Sequence, residues 1–152
     1  MKTRGVTAVL PLDLVFAVNA CGGGSSSGGG SADVKVSLRE FSVTPDAREH
    51  KAGSLSIDAD NAGSIKHELV VVQAKDAAAL PLNTDGSVDL AKIPRADKFG
   101  TIAKLAPGTS KTQTFKLPAG SYVMFCNLVD TKPGAPPVVH FKLGMHETFS
   151  AT

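Results

Sequence analysis

Short segments of alternating apolar and polar residues, each ended by glycine or proline, dominate the chain beyond its first thirty residues. The alternation is clearest at residues 34–38 and 54–60, and Pro107-Gly108 and Pro118-Ala119-Gly120 are turn signals between later segments. A period of two places every second side chain on one face, as in a half-buried β-strand. Short strands separated by turns, without a second helical layer, predict an all-β fold, an antiparallel Greek-key β-sandwich or barrel.

The same pattern predicts the other strands, and one long segment of the chain lacks it. Further strands are predicted at residues 41–43, 65–73, 99–105, 112–117, 122–126, 138–143 and 147–151. Segments 54–60 and 65–73 are joined by the turn residues 61–64, and we expect them to be neighbours in a sheet. Residues 74–98 break the rhythm and predict a long surface excursion with one helical turn at residues 77–80.

The N-terminal segment differs from the rest of the chain. Two basic residues and an apolar run end before Cys21, which is the layout of an export signal over residues 1–20. Ten consecutive Gly and Ser residues follow Cys21 and predict a flexible tether. Residues 21–31 therefore comprise the cysteine that would be lipidated and a Gly/Ser-rich linker. Residues 32–152 are then the folded domain, long enough for a single core.

The residues around the cleavage position also bear on where the protein works. The four residues that end in Cys21 resemble a bacterial lipobox, which implies that this cysteine is lipidated after cleavage. The expected location is therefore outside the cytoplasm, in the periplasm or on the extracellular face of the membrane, with the lipid as the sole membrane contact. Free secretion after the same cleavage is the alternative.

Charge and motif content exclude several classes of function. Sixteen basic and fourteen acidic residues leave a formal net charge of +2, without the strong positive charge that nucleic-acid binding requires. The sequence holds no plausible Ser–His–acid triad and no Gly-rich phosphate loop after a strand. We therefore expect neither nucleic-acid binding nor enzyme activity.

Four residues of the expected domain have the chemistry of a copper site: His67, Cys126, His140 and Met145. A thiolate, two imidazoles and a weak axial thioether are the donors that copper takes in a His2Cys site. Zinc would accept the histidines and the cysteine, but methionine is a poor zinc ligand. The set predicts one copper ion cycling between Cu(I) and Cu(II), and a merely buried Cys126 without metal is the alternative.

Residues 32–152 resemble a cupredoxin, the blue-copper family of plastocyanin and azurin. The matching segments are residues 61–71, 105–110, 118–127 and 140–149. The resemblance implies that His67, Cys126 and His140 are equatorial copper ligands. It also implies that Met145 is the axial ligand.

Two features depart from the family pattern. Thirteen residues, 127–139, separate the cysteine from the second histidine, where the family usually has a short loop. Two outcomes are open for this insertion: it bulges outward, because lengthening a loop costs little closure entropy, or it perturbs the site. Glu68 follows the first histidine, where family members often have asparagine. A carboxylate cannot donate a hydrogen bond, so the contacts around the site must differ.

The leading functional prediction is an electron-transfer protein that shuttles single electrons between redox partner proteins and acts as a monomer. Apolar residues around His140, at 136–143, suggest that electrons pass through an exposed edge of this ring. A copper carrier or chaperone that delivers copper to an oxidase is the main alternative. A metal-free β-sandwich that serves as a surface interaction module is the third reading.

Overall fold

A computed structural model of the chain describes residue 2 and residues 32–152. The predicted signal segment, residues 1–20, and the tether with Cys21, residues 21–31, lie outside the described residues apart from residue 2. Within the described residues, no helix has the length and apolar character needed to cross a membrane.

Strands account for most of the regular structure in the described part of the chain. They are β1 (Val34–Arg39), β2 (Ser42–Pro45), β3 (Glu49–His50), β4 (Gly53–Asn61), β5 (His67–Gln73), β6 (Lys98–Leu105), β7 (Ser110–Leu117), β8 (Gly120–Phe125), β9 (Val129–Asp130), β10 (Val138–Val139) and β11 (His146–Ala151). Short 3-10 helices lie at Ala77–Ala79, Arg95–Asp97 and Phe141–Leu143. The first of these falls within the helical turn predicted at residues 77–80.

The strands form two main sheets and one small hairpin. One sheet has the order β2-β1-β4-β7 and the other β3-β11-β8-β5-β6, while β9 pairs with β10. The prediction of an all-β sandwich is confirmed. The pairing is not wholly antiparallel, because β1 runs parallel to β4 and β3 runs parallel to β11.

The expectation that segments 54–60 and 65–73 are sheet neighbours is wrong. These segments correspond to β4 and β5, which belong to different sheets. The connecting turn is held by the buried Asn61 side chain, which donates to the carbonyls of Ile65 and Leu105 at 2.8 and 2.9 Å. Alternation determines which face of a strand is buried but not which strand lies beside it, so the sequence pattern could not reveal this crossover.

The main core lies between the two sheets. Every second residue of β1 and β4 points into it, as the alternation predicts. Its fully buried members include Leu38, Ile57, Leu69, Cys126 and Met145. Two of the predicted copper ligands are therefore part of the packed interior.

A second core covers the outer face of the five-stranded sheet. The segment at residues 74–98 is more than a surface excursion, because Leu80, Val88 and Ile93 are buried there against Val72 and Phe125. This packing explains why β5 and β8 are nearly continuous apolar runs, since both faces of these central strands are covered.

The strand predicted at residues 138–143 is shorter than expected. Only Val138 and Val139 are extended, and Phe141–Leu143 form a 3-10 helix. Gly144 ends this helix in the left-handed region, at φ +98°, which suits glycine. The turn redirects the chain into β11 and brings the second histidine next to the cysteine.

Candidate metal centre

Three of the predicted ligands come together at one end of the sandwich. His67 is the first residue of β5, and Cys126 directly follows β8, the strand that pairs with β5. His140 precedes the 3-10 helix at Phe141–Leu143. All three side chains are completely buried, with a relative exposure of 0%.

The donor atoms are spaced as a single metal ion requires. The Sγ atom of Cys126 lies 3.9 Å from Nδ1 of His67 and 3.3 Å from Nδ1 of His140. One donor atom from each residue lies within 4.8 Å of the others. Because metal bonds of about 2.0–2.3 Å separate ligand atoms by roughly 3–4 Å, the three donors fit one ion.

Met145 belongs to the same loop and the same core. Its side chain is fully buried in the cluster that contains Cys126. Its carbonyl accepts a hydrogen bond from the Cys126 amide at 3.0 Å, and its own amide donates to the carbonyl of His140 at 3.1 Å. These backbone bonds join the thioether-bearing residue to two of the clustered residues.

The Cys126 thiol is a protonated group in the metal-free site. Burial raises its pKa to about 11. The backbone amide of Glu68 lies 3.5 Å from Sγ and donates toward it. The main chain at position 68 thus provides the donor that the Glu68 carboxylate cannot supply. Because metal binds the thiolate, metal uptake displaces the proton of Cys126.

The surroundings of His67 favour the neutral form of its imidazole. Burial lowers its pKa, and the nearby His140 lowers it further. Its Nε2 atom has no hydrogen-bond partner among the described residues, and the nearest carboxylate oxygen, Oε1 of Glu40, is 3.4 Å away. Hydrogen bonds from the backbone amides of Glu40 itself and of Ile65 lower the pKa of the Glu40 carboxyl to about 2.

Two side chains outside the cluster contact the His140 ring. Its Nε2 atom lies 3.1 Å from Oδ2 of Asp130. An ionised carboxylate only accepts hydrogen bonds, so a hydrogen bond at this contact requires a proton on Nε2. Phe41 packs against the ring in a T-shaped arrangement with centroids 5.1 Å apart. The expectation of an exposed His140 edge is therefore wrong, because Asp130 and Phe41 lie over it.

The long loop after Cys126 folds back on itself. Within residues 127–139, β9 pairs with β10 in the register Val138 to Asp130 and Val139 to Val129. The His140 amide donates to the Leu128 carbonyl at 3.0 Å. The insertion is therefore an outward hairpin that returns the chain to the metal centre.

The start of this loop is fastened to the second core. The Asn127 side chain accepts from the Val88 amide at 2.7 Å and donates to the Val88 carbonyl at 3.0 Å. Because Asn127 follows Cys126 directly, these two bonds connect the segment at residues 74–98 to the metal centre.

A groove of about 520 Å³ lies between the β1–β2 turn and the long loop. Most of its surface is apolar. Its lining residues are Glu40, Phe41, Ile65, Asp130, Lys132, Ala135, Pro136 and Val138. The groove therefore includes both carboxylates that face the clustered histidines, and it adjoins the centre.

Comparisons with known proteins agree on the fold. The sequence matches no protein-family model and no curated protein sequence. The chain is similar to the structure of dithionite-reduced auracyanin from the photosynthetic bacterium Roseiflexus castenholzii, with a TM-score of 0.51, 23% identity, and coverage of 78% of this chain and 94% of that chain. Auracyanin B gives a TM-score of 0.50 at 24% identity, with coverage of 78% and 87%.

These matched structures are cupredoxins, and the described chain has the cupredoxin fold, as the resemblance predicted. The clustered imidazoles and thiol, with a buried methionine on the same loop, point to one copper ion.

Sequence reasoning did not find the two carboxylates beside the histidines. Glu40 directly follows β1 and Asp130 lies in the inserted loop, so neither is adjacent in sequence to the histidine that it faces. The contacts that they make join residues 27 and 10 positions apart. No local pattern marks such a contact, because the fold of the turn and of the hairpin creates it.

Proposed function

We propose that the described domain is a blue (type 1) copper electron-transfer protein. One copper ion would be held by His67, Cys126 and His140, with the Met145 thioether as a further, weaker donor. The observation that carries this proposal is the buried cluster of two Nδ1 atoms and one Sγ atom within reach of a single ion. Copper bound there would supply one-electron chemistry between the Cu(II) and Cu(I) states.

The role of the protein is to fix the positions of the donor atoms and to exclude water from them. His67 and Cys126 are fixed by paired strands, and His140 is fixed by backbone bonds to Leu128 and Met145. Ligands whose positions are set by rigid packing change little between oxidation states, which favours rapid electron transfer. Complete burial keeps water from the donor atoms.

Burial also distinguishes electron transfer from copper delivery. A carrier that hands copper to an oxidase needs ligands that a second protein can reach, whereas all three clustered side chains have 0% exposure. We infer that the buried side chains would retain the ion while single electrons are exchanged. The remaining histidines lie elsewhere, with His50 bonded to the Ala47 carbonyl and His146 against the Phe141 ring. We therefore propose an electron carrier and not an enzyme.

The visible spectrum of the copper-loaded protein tests the centre. We expect an intense thiolate-to-Cu(II) charge-transfer band that disappears on reduction. Cys126→Ser should abolish the band, while Met145→Leu should keep it and raise the reduction potential, because the thiolate would create the colour and the weak thioether donor would tune the potential. Full colour in the Cys126→Ser protein would reject the assignment.

We further propose that the protein works outside the cytoplasm. The apolar run ending at Cys21 and the Gly/Ser tether support export and lipid anchoring. Fractionation of cells that express the full chain should find it with the membrane, and Cys21→Ser should release it. Equal membrane association of both proteins would exclude the anchor.

We propose that redox partner proteins dock over the apolar groove, because Asp130 and Phe41 connect it directly to the buried His140. Electron self-exchange between oxidised and reduced copies, measured by NMR line broadening, tests this surface without an identified partner. Val138→Lys should slow the exchange, since Val138 lines the groove and is 38% exposed. Leu82→Lys, at a 49% exposed position outside the groove, is the matched control. Equal rates in both variants would place the surface elsewhere.

A further inference from the structure

Each clustered histidine has a carboxylate facing its outer nitrogen. Asp130 Oδ2 lies 3.1 Å from Nε2 of His140, and Glu40 Oε1 lies 3.4 Å from Nε2 of His67. We propose that Asp130 is a positioning residue that orients His140, and that Asp130 and Glu40 together favour Cu(II) over Cu(I) through their negative charge. The redox part of this inference rests on the proposed copper function.

Asp130 is held in place by the inserted hairpin. It ends β9 and lies opposite Val138 of β10, so the strand register determines where its carboxylate points. The Leu128 carbonyl, two residues earlier, accepts from the His140 amide. The hairpin therefore contacts His140 twice, through the backbone amide and through the Nε2 atom of the ring. In the neutral ring, a proton held on Nε2 leaves Nδ1 free to bind metal.

Glu40 acts as a fixed charge. Its Oε1 atom accepts hydrogen bonds from the amides of Ser64 and Ile65 at 2.6 and 2.8 Å. These amides belong to the turn that leads into β5, so the carboxylate is fastened to the chain entering His67. At 3.4 Å from Nε2 it is beyond ordinary hydrogen-bond length, and its effect on the ring is therefore electrostatic.

The two charges act in the same direction on the redox couple. Cu(II) carries one more positive charge than Cu(I), so a nearby carboxylate stabilises the oxidised ion more than the reduced ion. A carboxylate bonded to the outer nitrogen also makes a ligand imidazole more basic. Neutralising either group should therefore raise the reduction potential.

Paired substitutions separate charge from hydrogen bonding. Asp130→Asn keeps an acceptor oxygen but removes the charge, whereas Asp130→Ala removes both. We expect Asp130→Asn to lower the ratio of Cu(II) to Cu(I) affinity by about tenfold, which corresponds to a rise in midpoint potential of about 59 mV for one electron. Glu40→Gln should shift the potential in the same direction by less, because its contact is longer and makes no hydrogen bond.

Asp33→Asn is the matched control. Asp33 precedes β1, accepts from the Ser56 amide at 2.8 Å, and lies at the opposite end of the strand from Glu40. It therefore loses the same charge at a distance where solvent and salt screen the effect. Spectroelectrochemical titration should give a wild-type potential for this variant. A shift in Asp33→Asn as large as that in Asp130→Asn would overturn the electrostatic part of the proposal.

The orienting role is measured without copper. In the metal-free protein, at a pH well above the ordinary histidine range, ¹⁵N NMR should show His140 as the Nε2-protonated tautomer. Asp130→Asn should retain that tautomer, and Asp130→Ala should lose the preference for it. An unchanged tautomer in Asp130→Ala would overturn the positioning role.

The two proposals fail in different ways. Absence of the charge-transfer band in copper-loaded wild-type protein would reject the copper function, and the tautomer measurement would still decide whether Asp130 orients His140. A normal band with an unchanged potential in both Asp130→Asn and Glu40→Gln would reject the redox role of the carboxylates alone.

Discussion

The two clustered histidines are held by different kinds of structure. His67 begins a central strand whose residues are hydrogen-bonded to β6 on one side and β8 on the other. His140 lies in a loop, and its position depends on the β9–β10 hairpin, on Asp130 and on the turn that ends at Gly144. One half of the centre thus comes from the sheet itself, and the other half comes from an added segment that must be fastened to it.

The contrast extends to the packing behind each histidine. Behind His67 lies the main core between the sheets, whereas the loop of His140 packs on both cores, with Met145 in the main core and Phe141 in the second core under residues 74–98. Asn127 joins that second core to the chain beside Cys126. We call the part of the domain around His67 and the main core the strand side, and the part around His140 and the β9–β10 hairpin the loop side. We infer that the strand side determines the free energy of global unfolding and that the loop side determines how precisely the donor atoms of the centre are positioned.

The largest expected effect is on the strand side. Leu69 is fully buried in the main core, two residues after His67. Leu69→Ala should lower the free energy of unfolding by about 2–5 kcal/mol, through lost burial and a residual cavity. Urea denaturation of the metal-free protein measures this, with Leu82→Ala at a half-exposed position expected to change stability by less than about 0.5 kcal/mol. Similar values for the two variants would contradict the assignment of the main core.

A smaller and more local effect is expected at the fastening between loop and second core. Asn127→Ala removes both hydrogen bonds to Val88 and leaves the buried Val88 backbone amide without its acceptor. The expected loss in the free energy of unfolding is about 1–3 kcal/mol. Hydrogen exchange should accelerate at the Val88 amide far more than at the Leu69 amide. Equal acceleration at both amides would mean that the strand side and the loop side unfold as one unit. It would contradict the inferred difference in local stability between them.

A pH-dependent effect should appear within the segment at residues 74–98. Hydrogen bonds from the side chain and the amide of Ser87 lower the pKa of the Asp85 carboxyl below its usual value of 3.8. A lowered folded-state pKa stabilises the fold above that usual value, and this contribution is lost as the pH falls through the folded-state pKa. The stability difference between wild type and Asp85→Asn should therefore shrink in acid. A difference that stays constant from pH 6 to pH 2 would exclude the charge as its cause.

The smallest effect is expected at the tip of the inserted hairpin. Residues 131–137 connect β9 to β10, and deleting the exposed segment 132–134 leaves a four-residue connection. Loop-closure entropy changes by no more than about 0.6 kcal/mol for a halving of length, so stability should hardly change. The charge-transfer band of the copper-loaded protein should persist as well. Loss of the band would show that the tip, and not only the paired residues, supports His140.

The sequence by itself determined the fold class and the chemistry of the centre. Alternation along β1 and β4 is a local property of the chain, and burial of every second side chain follows from it. The identities of His67, Cys126, His140 and Met145 are also local, and copper selects donors by type. For these reasons the β-sandwich and the copper ion could be predicted without coordinates.

Only the tertiary structure decided how these parts meet. The placement of β4 and β5 in different sheets, the second core under residues 74–98 and the burial of His140 all depend on contacts between residues far apart in sequence. The same holds for Glu40 and Asp130, which reach the histidines through a turn and a hairpin. Local patterns report which face of a segment is buried, whereas the partner that covers that face is chosen by the packing of the whole domain.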